Sequence, residues 1–247
     1  MPIPTQAPAS PRPALIAHRG ASRAFLENTL PAFQRALDLG VDGIELDVHG
    51  TRDGVLVVHH DPTLKRPDGE VPIADLTAAE VGAFRLPGGD HVPTLAEVFA
   101  LVDGRTTLYV EVKAPHVESL VADFLSAHRE VAAEVHAFDH RIPVGVRARR
   151  ADTPIGLLSA SYPLDLPAAL ANSGATAWWQ HGPLIDEALV TTCHDAGVRL
   201  IAWTVNSAPH ARQLASWGVD ALCTDVPDLI RSALTVAAPP PTWRGAV

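Results

Sequence analysis

Gly43-Ile44-Glu45-Leu46-Asp47-Val48 is the stretch from which the fold can be read. Side chains alternate faces along an extended chain, so Glu45 and Asp47 share one side while Ile44, Leu46 and Val48 take the other. Thr107-Leu108-Tyr109-Val110-Glu111-Val112-Lys113 repeats the pattern, with Glu111 and Lys113 opposite Val110 and Val112. Further apolar runs lie at Ala14–Ala17, Glu134–Phe138, Ile155–Ser159, Thr176–Trp179, Val198–Trp203 and Asp220–Cys223. Short runs rich in Val, Ile, Leu and aromatics are the mark of strands buried on both faces.

The intervening segments carry helical start and stop signals. Asn28-Thr29 ahead of Pro31 reads as a cap with a first-turn proline, and Gly40 closes that helix. Thr94 and Glu97 have capping-box spacing and open a helix over Leu95–Val102. Further helices are expected at Val117–Arg129, Leu164–Asn172, Ile185–Ala196, Pro209–Trp217 and Pro227–Leu234, whereas Pro143 and Gly145 interrupt any period between Asp139 and Arg150. Eight strand–helix units in a chain of 247 residues predict an α/β fold, a (β/α)8 TIM barrel. The competing doubly wound open sheet lacks the Gly-rich phosphate loop expected after its first strand. The connection from Asp47 to Thr94 is far longer than an ordinary βα loop. It holds an extra strand-like run, Val55–His59, and a capped turn of helix at Thr77 and Glu80, so residues 62–93 are expected to form a lid over the barrel mouth. A single domain over residues 14–236 is expected, with Pro- and Ala-rich ends at 1–13 and 237–247 unstructured.

Composition narrows the function classes. The 47% hydrophobic content supplies a full core, and the net charge of −9 argues against nucleic-acid binding. No apolar run approaches the roughly 18 residues of a membrane span, and the first residues lack the apolar centre of a secretory signal. No integral membrane association and a cytoplasmic location are therefore expected. Cys193 and Cys223 are too few for a disulfide framework and read as buried thiols.

The polar residues gather where barrel strands deliver their C-termini: His18-Arg19-Gly20, Glu45 and Asp47, His60-Asp61, Glu111 and Lys113. Three carboxylates converging in a low dielectric repel one another unless protonated, paired or bridged by a cation. Ion pairs with Arg19 and Lys113 offer one resolution and a divalent cation the other. Oxygen-only ligands favour Ca²⁺, Mg²⁺ or Mn²⁺ over zinc. His18 and His60 beside such a centre suit a general base and a general acid, although parity alone leaves His59 and His60 undistinguished. Arg19 and Lys113 add positive charge suited to a phosphoryl oxygen.

These motifs, with Glu27-Asn28-Thr29, Asp53-Gly54-Val55-Leu56-Val57-Val58-His59-His60-Asp61-Pro62, Pro93-Thr94-Leu95, Trp203-Thr204-Val205-Asn206 and Gly218-Val219-Asp220 through Thr224-Asp225-Val226-Pro227, resemble the glycerophosphodiester phosphodiesterase family. The ordered match runs from about Leu15 to Ile230. The resemblance implies a PLC-like phosphodiesterase barrel that uses a divalent cation to cleave a small-molecule glycerophosphodiester into sn-glycerol 3-phosphate and an alcohol. It implies Glu45, Asp47 and Glu111 as metal ligands, His18 and His60 as the acid–base pair, and Arg19 and Lys113 as phosphate contacts. Phe138 and Trp203 fall at aromatic pocket positions, with Ala137 where the family carries a serine and Leu26 where a proline often stands. Either water or the substrate's own 2-hydroxyl is open as nucleophile.

Three alternatives are weaker. A lysophospholipase D-type activity needs Leu64, Val71, Ile73, Leu76, Phe84 and Leu86 to line an open groove. A non-catalytic phosphodiester-binding barrel needs a missing polar position, and all seven are filled. A zinc amidohydrolase should show His-x-His after the first strand, where Ala17-His18-Arg19-Gly20 stands instead.

Overall fold

In the computed structural model, which describes residues 12–67 and 69–235, the eight expected strands close into a parallel barrel. They are β1 (Ala14–His18), β2 (Gly43–Gly50), β6 (Thr107–Val112), β7 (Ala133–Ala137), β8 (Ile155–Ser159), β9 (Ala177–His181), β10 (Arg199–Trp203) and β11 (Ala221–Thr224). The ring closes through β1, which pairs with β11 on one side and β2 on the other. Three further strands, β3 (Leu56–Val58), β4 (Thr63–Arg66) and β5 (Gly69–Pro72), belong to the long β2–β6 connection. The helices are α1 (Leu30–Asp38), α2 (Ala78–Ala83), α3 (Leu95–Val102), α4 (Glu118–Ala127), α5 (Arg141–Arg149), α6 (Leu166–Ala171), α7 (Glu187–Asp195), α8 (Ala208–Trp217) and α9 (Pro227–Thr235). The chain ends expected to be unstructured lie outside the described residues apart from Arg12 and Pro13, and there Arg12 grips Asp42 through two hydrogen bonds of 2.8 and 3.1 Å.

Parity places the cores. Ile44, Leu46, Val48, Val110 and Val112 pack outward with Phe33, Phe99 and the helices, while Ile16, Tyr109, Trp179, Ile201 and Cys223 fill the barrel interior. Gly156 makes room for that filling, because a Cβ there would sit 2.6 Å from Trp179 Nε1. The helix starts follow local chemistry: Thr29 caps α1 ahead of Pro31, and Thr77 and Thr94 form full capping boxes with Glu80 and Glu97. The region from Asp139 to Arg150, where no period was legible, forms α5. Pro143 falls in its first turn, where backbone N–H groups have no helical partner to lose, and Gly145 lets α4 approach so that a Cβ would meet Glu118 Cγ at 3.1 Å.

The β2–β6 connection is more ordered than its Gly/Pro content implies. β3 extends the barrel by pairing antiparallel with β2, β4 and β5 form a hairpin, and Leu64, Ile73 and Leu76 are buried with Val57, Val81 and Val92 in a small core of their own. Val71, Phe84 and Leu86 pack against that core. The apolar side chains that a lipid groove would need are thus largely used to hold this segment together.

Gly20 shows how tightly the mouth is set. It has φ +80°, and a Cβ there would lie 2.7 Å from the Ala32 carbonyl carbon and 2.8 Å from its oxygen, both backbone atoms of α1. Gly20→Ala is therefore expected to cost about 1–3 kcal/mol of stability. Chemical denaturation of the two proteins reads the difference, and an unchanged midpoint contradicts this packing.

Candidate active site

The barrel register sets the polar residues in one layer. His18 is level with Glu45, Asp47 with Glu111, and Glu111 with His136 on β7. His18, Glu45, Glu111 and His136 line a cavity of about 220 Å³ at the C-terminal end of the barrel together with Arg19, His60 and Lys113, while Asp47 lies buried behind that wall. Phe138 and Trp203 also line it, their rings edge to face at 5.5 Å with Lys113 Nζ 6.0 Å from the Phe138 ring centre, and the buried Trp179 lines it from within the barrel. His60 reaches the cavity, whereas His59 turns away and donates through Nδ1 to the Asp61 carbonyl, which resolves the ambiguity that parity left. Trp179 likewise points into the barrel while Trp178 packs outward and donates to Gln180.

The acids divide into two kinds. Asp47 is fully buried yet well neutralised: Asn28 Nδ2 donates to its Oδ2 at 2.8 Å, Arg19 Nε lies 3.1 Å from Oδ2, and Lys113 Nζ lies 3.2 Å from Oδ1. Burial works against its charge, but Lys113, Arg19 and the Asn28 bond together hold its carboxyl below the usual range. Glu45 has less support, with Oε2 accepting the Arg19 backbone N–H at 3.0 Å and Oε1 buried without a partner among the described residues. Burial, then the charges of Asp47 and Glu111, push its carboxyl well up. Glu111 accepts from Lys113 Nζ at 2.7 Å, and burial with the Asp47 charge still raises it. Two cations are not enough for three acids in this space, so a net negative charge is left around Glu45 and Glu111.

The side chains present fit a divalent cation. Glu45 Oε1, Asp47 Oδ1 and His136 Nδ1 are buried polar atoms without hydrogen bonds among the described residues, which is costly unless something satisfies them. One donor atom each from Glu45, Glu111 and His136 lies within 4.8 Å of the other two. Asp47 is not in that group, since its oxygens meet Asn28, Arg19 and Lys113, but its Oδ1 has only the ion-pair contact with Lys113.

Both histidines are oriented from behind. His18 Nδ1 donates to Asp225 Oδ1 at 2.6 Å, and His60 Nδ1 donates to Asp61 Oδ1 at 2.9 Å. A carboxylate only accepts, so each bond puts the proton on Nδ1 and leaves Nε2 for the cavity, with His18 Nε2 3.9 Å from Glu45 Oε2. Beside Pro227 at the start of α9, Asp225 has the position of a helix cap. It is instead fixed by Ser22 Oγ on Oδ1 and by Asn206 Nδ2 on Oδ2, and despite burial these bonds and that from His18 lower its carboxyl. His49, buried beside β3, donates through Nε2 to the His60 carbonyl and steadies that loop.

Asp225 yields a direct expectation. Asp225→Asn keeps the shape but lets an amide N–H face the ring, favouring the wrong tautomer. Turnover should fall about 10- to 100-fold, the usual cost of removing an orienting partner of a functional imidazole, with KM little changed. Steady-state kinetics on the variant check this, and unchanged kcat would show the bond to be incidental.

Comparison with known proteins places the chain in a family. The profile of the glycerophosphoryl diester phosphodiesterase family matches residues 18–229. A glycerophosphodiester phosphodiesterase of Caldanaerobacter subterraneus subsp. tengcongensis is 34% identical over 235 residues, covering 87% of this chain and 95% of that protein. An Oleispira antarctica phosphodiesterase, solved in complex with the product sn-glycerol-3-phosphate, superposes with a TM-score of 0.82 at 27% identity, over 90% of this chain and 96% of that one. A glycerophosphodiester phosphodiesterase of Thermotoga maritima gives 0.76 at 26% identity, covering 89% and 97%. This chain belongs to the glycerophosphoryl diester phosphodiesterase family, and its fold is the family's TIM barrel. Members of that family generally bind a divalent cation. No helix among the described residues is long and apolar enough to cross a membrane.

Proposed function

We propose that the protein hydrolyses glycerophosphodiesters to sn-glycerol 3-phosphate and an alcohol, with Glu45, Asp47 and Glu111 holding one divalent cation. The observation that carries the reading is the joint placement of His18, His60, Arg19, Lys113, Glu45 and Glu111 around one cavity of about 220 Å³, with Asp47 ion-paired to Arg19 and Lys113 behind them. When bound, the cation supplies Lewis-acid stabilisation of charge on the phosphoryl oxygens. Arg19 and Lys113 add positive charge at the same wall and orient the diester. Of the two imidazoles, one takes the proton of the attacking oxygen and the other returns a proton to the departing alkoxide. Asp225 and Asp61 stabilise whichever ring is protonated and keep each Nε2 turned inward. Phe138 and Trp203 form an apolar wall for the glycerol or alcohol portion.

The cavity is small beside the roughly 300–1,000 Å³ of drug-sized ligand sites. The lid residues Leu64, Ile73 and Leu76 are committed to their own core. Together these favour a head-group-sized diester over a lysophospholipid. Turnover on glycerophosphocholine is expected to exceed that on lysophosphatidylcholine by at least about tenfold, since burying a long acyl chain would demand apolar surface the lid has already used. Side-by-side kinetics on the two substrates test this, and equal or greater activity on the lysophospholipid would reverse the preference.

A further inference from the structure

We propose that His136 is a ligand of the cation in this site, making the centre a mixed nitrogen–oxygen one that selects a first-row transition-metal dication over Ca²⁺ and Mg²⁺. The inference rests on the reading that a cation occupies the acidic cluster, and it departs from the oxygen-only donor set read from the sequence. Glu45, Glu111 and His136 each bring one donor atom within 4.8 Å of the other two. All three are buried, at 2, 6 and 1% exposure, so none is a surface group that happens to be near. Glu111 and His136 are register partners on the adjacent strands β6 and β7, so the backbone itself sets their spacing.

A histidine buried merely for packing would be expected to bond through its ring nitrogens. His136 Nδ1 is buried with no hydrogen-bond partner among the described residues, and the ring faces two carboxylates that carry too little compensating charge. The ring is also held firmly, stacked on Trp179 at 4.2 Å with an interplanar angle of 3°, while Trp179 Nε1 donates to Glu134 Oε1 at 3.2 Å. Glu134 is in turn paired with Arg199 at the far end of the barrel. Neutral imidazole suits Mn²⁺, Co²⁺ or Zn²⁺, whereas Ca²⁺ and Mg²⁺ prefer oxygen donors throughout.

The test uses chelator-stripped wild-type protein and His136→Gln, each titrated calorimetrically with Co²⁺ and separately with Ca²⁺, with the visible absorption of bound Co²⁺ recorded. The wild type is expected to bind Co²⁺ at least tenfold more tightly than Ca²⁺. His136→Gln is expected to lose at least tenfold in Co²⁺ affinity, keep its Ca²⁺ affinity and shift the Co²⁺ spectrum. Unchanged Co²⁺ affinity and spectrum in the variant overturn the proposal while leaving the hydrolase reading intact. Failure of the wild type to bind either ion removes the cation reading and this proposal with it. Should His136→Gln not fold by circular dichroism, X-ray absorption of Co²⁺-loaded wild type decides. Imidazole scattering around the metal supports the assignment, and an oxygen-only shell overturns it.

Discussion

His60→Ala is expected to lower kcat by roughly 10²–10⁴-fold, the usual worth of a positioned general acid or base, while leaving the fold intact. The side chain is 37% exposed and makes one side-chain bond, to Asp61, so its loss opens no core cavity. His18→Ala should fall in the same range, because the His18 ring presents Nε2 to the same cavity and is anchored from behind by Asp225. The double variant should lose little more than the worse single one if the rings act in one concerted transfer, since groups that work as a unit are not additive. Steady-state rates on glycerophosphocholine, with circular dichroism as the control for folding, give the answer. A His60→Ala protein turning over at the wild-type rate would take that ring out of the mechanism.

The second large effect concerns the acids. Glu45 and Glu111 have carboxyl groups raised in the folded protein, so the folded state takes up protons that the unfolded chain has already released. Stability of the metal-free protein should therefore fall as pH rises from the unfolded glutamate value, about 4.3, through the raised folded values. A bound dication reverses the penalty, because it replaces those protons as the source of compensating charge. At a concentration about 100 times its Kd it should add about 2.7 kcal/mol, seen as a rise in thermal midpoint that weakens as the pH is lowered. Glu45→Gln separates the two contributions. Without cation at neutral pH the variant should melt above the metal-free wild type, since an uncompensated buried charge has gone. With cation it should gain little and show hardly any activity. Differential scanning calorimetry with and without Mn²⁺ measures both arms. A Glu45→Gln protein that melts lower without cation, or gains as much as the wild type with it, contradicts the charge balance described.

How far the residues alone reveal this protein depends on the reach of each signal. Strand parity carries far: Glu45 with Asp47 and Glu111 with Lys113 announce a polar inner layer, and all eight barrel strands fall within a few residues of where apolar runs place them. The same reasoning applied to Glu134-Val135-His136-Ala137-Phe138 would have put His136 on the inner face beside Glu111, but the run reads as apolar at first sight because Val135 and Ala137 dominate it. The β4–β5 hairpin was hidden by its polarity, although Pro67 and Gly69 flank a position suited to a tight turn. Asp225 illustrates a harder limit. Its neighbour Pro227 points to a helix start, whereas its partner His18 lies 207 residues away and is brought close only by closure of the barrel between β11 and β1. Local rules place elements, and contacts made by closure assign second roles to residues that already look explained.

The most direct measurement is ³¹P NMR of glycerophosphocholine incubated with chelator-stripped protein, followed by addition of Mn²⁺, Mg²⁺ or Ca²⁺ in separate samples. The account predicts a persistent diester resonance until a cation is supplied, then its replacement by sn-glycerol 3-phosphate with release of choline. Phosphocholine as the phosphorus product, a diester unaffected by all three cations, or full activity in the presence of chelator would contradict it.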